Sequence, residues 1–154
     1  MANVMTRWHE ALGLRWPFIQ APMAGVQDHR LAIAVSKAGA LGSIPAAMLS
    51  AQALRQSLQA VRDSGVGNVN VNFFCHRAAP VDAARDAMWR TRLAPAYHEF
   101  GLDPGASTAA SNREPFNAEM LAVLQDMRPR VVSFHFGLPA PALLDGVKRC
   151  GALV

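Results

Sequence analysis

The chain has 154 residues, of which 51% are hydrophobic and 17% charged, with a formal net charge of +4. That is one domain's worth of sequence, enough to bury about 68–70% of its unfolded surface, and it carries less charge than the ~25% of an average soluble domain. The basic residues are scattered from Arg7 to Arg149 and never form a run that tracks phosphates, which argues against nucleic acid. No apolar run reaches the ~20 residues that cross a bilayer, and Met1 to Trp16 mixes Arg7, His9, Glu10 and Arg15 into its apolar residues, so neither a secretory leader nor a membrane anchor is predicted. Cys75 and Cys150 lie far apart, with no metal-ligand spacing. Free thiols in a reducing, cytoplasmic setting are the simplest account, and no metal site is expected.

From Pro17 onward, short apolar runs alternate with helical periodicity, the pattern of βα units on a parallel sheet. The first strand is predicted over Phe18 to Ala21. Pro22 fixes its own φ, lacks an N–H and pushes Ala21 toward extended geometry, so the strand must stop there. Gly25 permits positive φ, and the small Ala21 and Ala24 leave the backbone open to close approach by a flat ring, to which Met23 would offer a thioether. An ordinary strand-to-helix turn has the same residue types. Asp28 then caps a helix whose Leu31, Ala34, Val35 and Ala38 recur on one face, closed by Gly39. A second strand spans Leu41 to Ile44. Ser50 caps a second helix with a core stripe of Leu54, Leu58 and Val61, ended by Gly65, and Asn68 to Phe74 forms a third strand.

Between His76 and Pro115 the rhythm breaks at Pro80, Pro95 and Pro104 and in a polar stretch from Ser107 to Arg113. Residues 76–116 are therefore an expected insertion or lid, with one amphipathic helix whose Trp89, Leu93, Tyr97 and Phe100 suit packing better than substrate contact. Asn117 to Met127 restores a helix through Met120, Leu121 and Leu124. Arg130 to Phe136 is a fourth strand, and Pro141 opens a helix with Leu143, Leu144 and Val147 that Gly151 ends. Ala152 to Val154 begins a fifth strand, which would leave an open edge at each end of the sheet. A doubly wound sheet is the rival architecture, but the first strand-to-helix turn has no G-x-G-x-x-G.

Alternate strand residues face opposite ways. Val69, Val71 and Phe73 oppose Asn68, Asn70 and Asn72; Val132, Phe134 and Phe136 oppose Val131, Ser133 and His135; Ile19 and Ala21 oppose Phe18 and Gln20. The apolar sets suit packing against helices. The polar set needs partners or a ligand, since an unpaired buried polar group costs ~1–3 kcal/mol. Asn72 and His135 lie toward the C-terminal strand ends, where a barrel site would sit. An amide suits an edge of alternating donors and acceptors, and a histidine can donate to an oxyanion or move a proton. Either residue is equally at home in a structural hydrogen-bond network. Cys75, His76, His9, His29 and His98 show no pattern that assigns them a role.

Taken together, Pro17 to Gly25, Ala40 to Ile44, Val69 to Phe73 and Val132 to Gly137 resemble, in order and spacing, the nitronate monooxygenase family, formerly 2-nitropropane dioxygenases. The likeness covers Trp16 to Val154 apart from Arg77 to Pro115. It implies an FMN-dependent (β/α)8 TIM barrel, a flavoprotein oxidoreductase that oxidises alkyl nitronates with O2 to carbonyl compounds and nitrite. Ala21, Pro22, Met23 and Ala24 would line the isoalloxazine, Asn72 would hydrogen-bond its edge, and His135 would face the substrate pocket. The family continues for roughly as long again, with a histidine taken to be the catalytic base and phosphate-binding loops after strands seven and eight. The chain is therefore expected to be the N-terminal part, about four βα units and the start of a fifth strand, inactive alone. Its partners would be a nitronate and either a second copy or the missing half. FMN-dependent enoyl-acyl-carrier-protein reductases share the same front half, which leaves a reductase, or a non-catalytic half-barrel associating through its edges, as the alternatives.

Overall fold

Pro22 decides how the sheet begins. In the computed structural model, which describes residues 8–77, 80, 82–103, 105–106 and 113–154, the first strand is reduced to a single parallel bridge between Ile19 and Leu41. Leu41 N donates to Phe18 O and Gln20 N donates to Leu41 O, both at 2.9 Å. The next rung would need an N–H from Pro22, which has none. After a short helix α1 (Trp8–Ala11) and this bridge come α2 (His29–Lys37), β1 (Gly42–Pro45), a 3-10 turn (Ala46–Met48), α3 (Ala51–Asp63) and β2 (Val69–Phe74). Next are α4 (Ala83–Glu99), α5 (Ala118–Met127), β3 (Val131–His135) and α6 (Pro141–Arg149). The sheet is parallel in the order β1-β2-β3, and Leu153 adds a parallel bridge beside Val131. Among the described residues strand neighbours thus follow chain order, with none of the reversal that a doubly wound sheet requires.

The caps form where side-chain chemistry placed them. Asp28, Ser50 and Asn117 accept hydrogen bonds from the N–H groups of Arg30, Ala53 and Met120, filling donors that a helix start leaves open. Gly39 and Gly65 follow α2 and α3 with φ of 95° and 76°, a conformation that favours glycine at a helix end.

One core lies between the sheet and its helices. Ile44, Val69, Val71, Phe73 and Val132 pack from the sheet against Ala32, Leu54, Leu58, Val61, Val123, Leu124 and Val147. The expected inner face of α2 is corrected: Leu31 and Ala34 are exposed, Ala38 lies beyond the helix end, and Ala32 is the buried residue. The cause is a close approach, because a Cβ on Gly42 would sit 2.0 Å from the main-chain oxygen of Ala32. Two further corrections concern strand ends. Ile19, expected against helices, is exposed at the sheet margin, bridged to Leu41. Phe136 lies outside β3 with a left-handed φ of 66° and points away from the core, 66% exposed.

The chain divides into two compact units, Met1–His76 with Asn112–Val154, and Arg77–Ser111. In the second unit α4 is capped by Asp82, contains Pro95 and buries none of its residues. Trp89, Leu93 and Phe100, expected as packing residues, are exposed there, with the Arg92 guanidinium 5.6 Å from the Trp89 ring centroid. Pro104 and residues 107–112 of the predicted polar stretch, like Arg7 before α1, lie outside the described residues.

Candidate functional site

The edge of β1 that the first strand leaves unpaired is completed by side chains. Ser43 N donates to Gln20 Oε1 at 2.9 Å, and Ser43 O accepts from Gln27 Nε2 at 2.7 Å. Gln20 Nε2 in turn donates to Gln27 Oε1 at 2.7 Å. Two glutamine amides therefore take the place of the missing backbone rung and fasten both ends of the Ala21–Val26 turn to one residue of β1. Within that turn Met23 is 41% exposed, and its carbonyl accepts from the N–H groups of Val26 and Gln27. Gly25 has a φ of 80°, which the chain needs to reverse before α2.

The polar sheet face continues across the strands in register. Ser43 pairs with Asn70, and Asn72 with Ser133. Asn70 Nδ2 donates to Ser43 Oγ at 3.0 Å, while Asn70 Oδ1, on a residue 4% exposed, has no hydrogen-bond partner. Asn72, 2% exposed, points its amide nitrogen at Ser133 Oγ (2.9 Å), Ser133 O (3.3 Å) and His135 Nδ1 (3.1 Å). Its N–H groups are thus spent on β3, and only Oδ1 is left to meet anything above the sheet.

At the C-terminal strand ends the face turns aromatic. Phe74, two register positions beyond Asn72, sits opposite His135, and its ring meets those of His135, His76 and Phe136 at centroid distances of 6.3, 6.3 and 5.0 Å, all near edge-to-face. Such geometries are favourable for aromatic quadrupoles. Cys75 faces the other way, toward the core cluster; burial pushes its thiol up, against a smaller lowering by a hydrogen bond involving the Phe116 backbone. Both cysteines are free thiols. Among the described residues no cluster of His, Cys, Asp and Glu is arranged to hold a metal, and no helix is long and apolar enough to cross a membrane.

Of the residues singled out in the sequence, Asn72 and His135 are in direct contact. Ala21, Pro22, Met23 and Ala24 form the clasped turn beyond β1, two strand spacings or about 10 Å from β2. Sequence reasoning missed Ser43 and Gln27, whose parts depend on the absent rung, and Phe74, which strand parity puts on the face of Asn72 and the register puts opposite His135, with His76 against its ring. A separate cavity of about 530 Å³ lies near the starts of α3 and α5, lined by Ala46, Phe73, Phe116 and Met120 with Glu114 and Glu119. It borders the apolar side of β2 and shares nothing with the polar face.

Comparison with known proteins gives a consistent picture. The nitronate monooxygenase family matches over residues 6–154. The nitronate monooxygenase of Paraburkholderia phytofirmans is 40% identical over 142 residues, covering 91% of this chain and 38% of its own length. That of Pseudomonas aeruginosa is 41% identical over 151 residues, covering 96% and 42%. A nitroalkane oxidase from Streptomyces ansochromogenes superposes with a TM-score of 0.71 at 31% identity, over 91% of this chain and 39% of that one. A FabK variant from Thermotoga maritima, at 19% identity and a TM-score of 0.62 over 95% and 36%, shares the fold. The chain spans about two fifths of the length of the curated relatives it matches.

Proposed function

The chain belongs to the nitronate monooxygenase family, and from that membership we propose that its polar sheet face is one wall of a flavin site where an alkyl nitronate is oxidised by O2 to a carbonyl compound and nitrite. The sequential parallel order of the strands supports reading the sheet as an arc of a (β/α)8 barrel with this face inward. The observation that carries the reading is the set of polar side chains on one sheet face, Gln20, Ser43 and Asn70 joined by hydrogen bonds and Asn72 bonded to Ser133 and His135, opposite an apolar core face. The unpartnered, buried Asn70 Oδ1 leaves an acceptor on this face open to a ligand or water donor.

The residues suit FMN. Ala21 and Ala24 add almost no bulk, Pro22 holds the turn, and Met23 presents a polarizable sulfur to a flat ring. Asn72 Oδ1 would accept from the ring's imide N–H. Bound flavin would supply the electron transfer between nitronate and oxygen. His135, at the strand end, would hold the substrate's anionic oxygen, while Phe74 and Phe136 would keep water from its carbon.

Titrating FMN into the ¹⁵N-labelled chain tests the proposal. Saturable shift changes along this face, at Ala21, Met23, Ala24, Asn70, Asn72, Phe74 and His135, are expected, and changes confined to residues away from it, or none, would overturn it. Oxygen uptake with a primary alkyl nitronate, set against NAD(P)H oxidation with an enoyl thioester, separates the oxidase reading from the reductase one. Because these residues form one wall only, turnover by the chain alone should be slight.

A further inference from the structure

The contact between Asn72 and His135 says more than that two polar residues meet. A carboxamide flipped end for end would look much the same, but Ser133 decides the orientation. Its main-chain oxygen, 3.3 Å from Asn72 Nδ2, can only accept. Placing Oδ1 there would set two acceptors face to face, so the amino group must occupy this side. The same nitrogen lies 3.1 Å from His135 Nδ1, and a group with hydrogens and no acceptor can only donate to it. A hydrogen on Nδ1 would point at the amide's own hydrogens, so the contact favours an unprotonated Nδ1, which in the neutral ring puts the proton on Nε2.

We propose that Asn72 is a positioning residue that holds His135 in its Nε2–H tautomer, so that the imidazole offers a ligand a hydrogen-bond donor and not a base. The ring nitrogen able to take a proton faces the protein, against Asn72. The one on its far side already carries hydrogen. Asn72 is 2% exposed and its register partner in β3 is Ser133, so the backbone ladder fixes the amide, and the amide fixes the ring. Phe74 and Phe136 flank His135 edge-on at 6.3 and 6.0 Å and accept no conventional hydrogen bond at ring nitrogen. The chemical class this suits is an anionic oxygen, such as that of a nitronate. That last clause rests on the function proposed above; the tautomer does not.

Long-range ¹H–¹⁵N correlation on the chain without flavin or substrate reads the tautomer directly, with His135→Gln identifying the signals. The expected wild-type pattern is a protonated Nε2, a bare Nδ1, and a through-bond coupling from Nδ1 to the Asn72 amide. Asn72→Asp replaces the donor by an acceptor and should move the majority of the population to a ring protonated at Nδ1. Asn72→Ala should leave a mixture of tautomers. A wild-type ring protonated at Nδ1, or an Asn72→Asp ring with the wild-type pattern, overturns the proposal. Should the aspartate variant not fold, the wild-type coupling decides: its presence supports the contact and its absence overturns it. A purely structural asparagine would not invert the tautomer, and a chain that binds no flavin would leave this result standing while removing the proposed function.

Discussion

Ile44, Val71, Phe73 and Val132 on one face of the sheet and Ser43, Asn70 and Asn72 on the other are all buried, yet the two faces are buried in different senses. On the apolar face removal from water is the whole of the stabilisation, and any well-packed neighbour supplies it. On the polar face each atom has a direction and a valence, and one of them, Asn70 Oδ1, is left unfilled. The first face is satisfied by packing alone; the second leaves an acceptor open.

Substitutions can break or sharpen this contrast. The largest effect is expected beneath the apolar face, where Leu54 is fully buried. Leu54→Ala should lower unfolding free energy by about 2–5 kcal/mol, read as a lower urea midpoint at unchanged slope. Gly42→Ala comes next, because its Cβ would strike the Ala32 backbone and not a yielding side chain. A loss of about 1–3 kcal/mol is expected, with α2 gaining hydrogen exchange first. On the polar face Ser43→Ala removes the acceptor of the buried Asn70 amide and should cost about 1–3 kcal/mol. A cost as large as that of Leu54→Ala would erase the distinction between the faces. Cys75 should alkylate more slowly than free cysteine near neutral pH, since its raised pKa leaves less thiolate. The smallest effect belongs to exposed Asp28, whose carboxyl the Arg30 side chain holds below its usual value. A depressed folded pKa adds stability above the unfolded value, and that increment disappears as pH falls through the folded one. The midpoint difference between wild type and Asp28→Asn should therefore shrink on acidification.

Much of this was legible because it is local. The caps at Asp28, Ser50 and Asn117 and the turn after Pro22 follow from the chemistry of single residues, and the alternation in Val69 to Phe74 follows from the two-residue strand period. The face of α2 was not legible: Leu31, Ala34, Val35 and Ala38 make the stronger apolar stripe, but the fit of Ala32 over Gly42 is a contact between elements ten residues apart that periodicity cannot see. Strand parity set Asn72 and His135 on one side of the sheet, while the amide's commitment to β3 depended on which strand became its neighbour. Phe136 misled because its residue type suits a strand, whereas its backbone had already left one.

The clasp of Gln20 and Gln27 on Ser43 has a kinetic consequence. A loop pinned at both ends has surrendered its wandering before any visitor arrives, so the entropy of ordering it falls on folding and not on association. On the function proposed above, flavin meeting the Met23 turn should resemble a key meeting a cut lock, and loosening either glutamine should slow its capture without altering a single atom it touches.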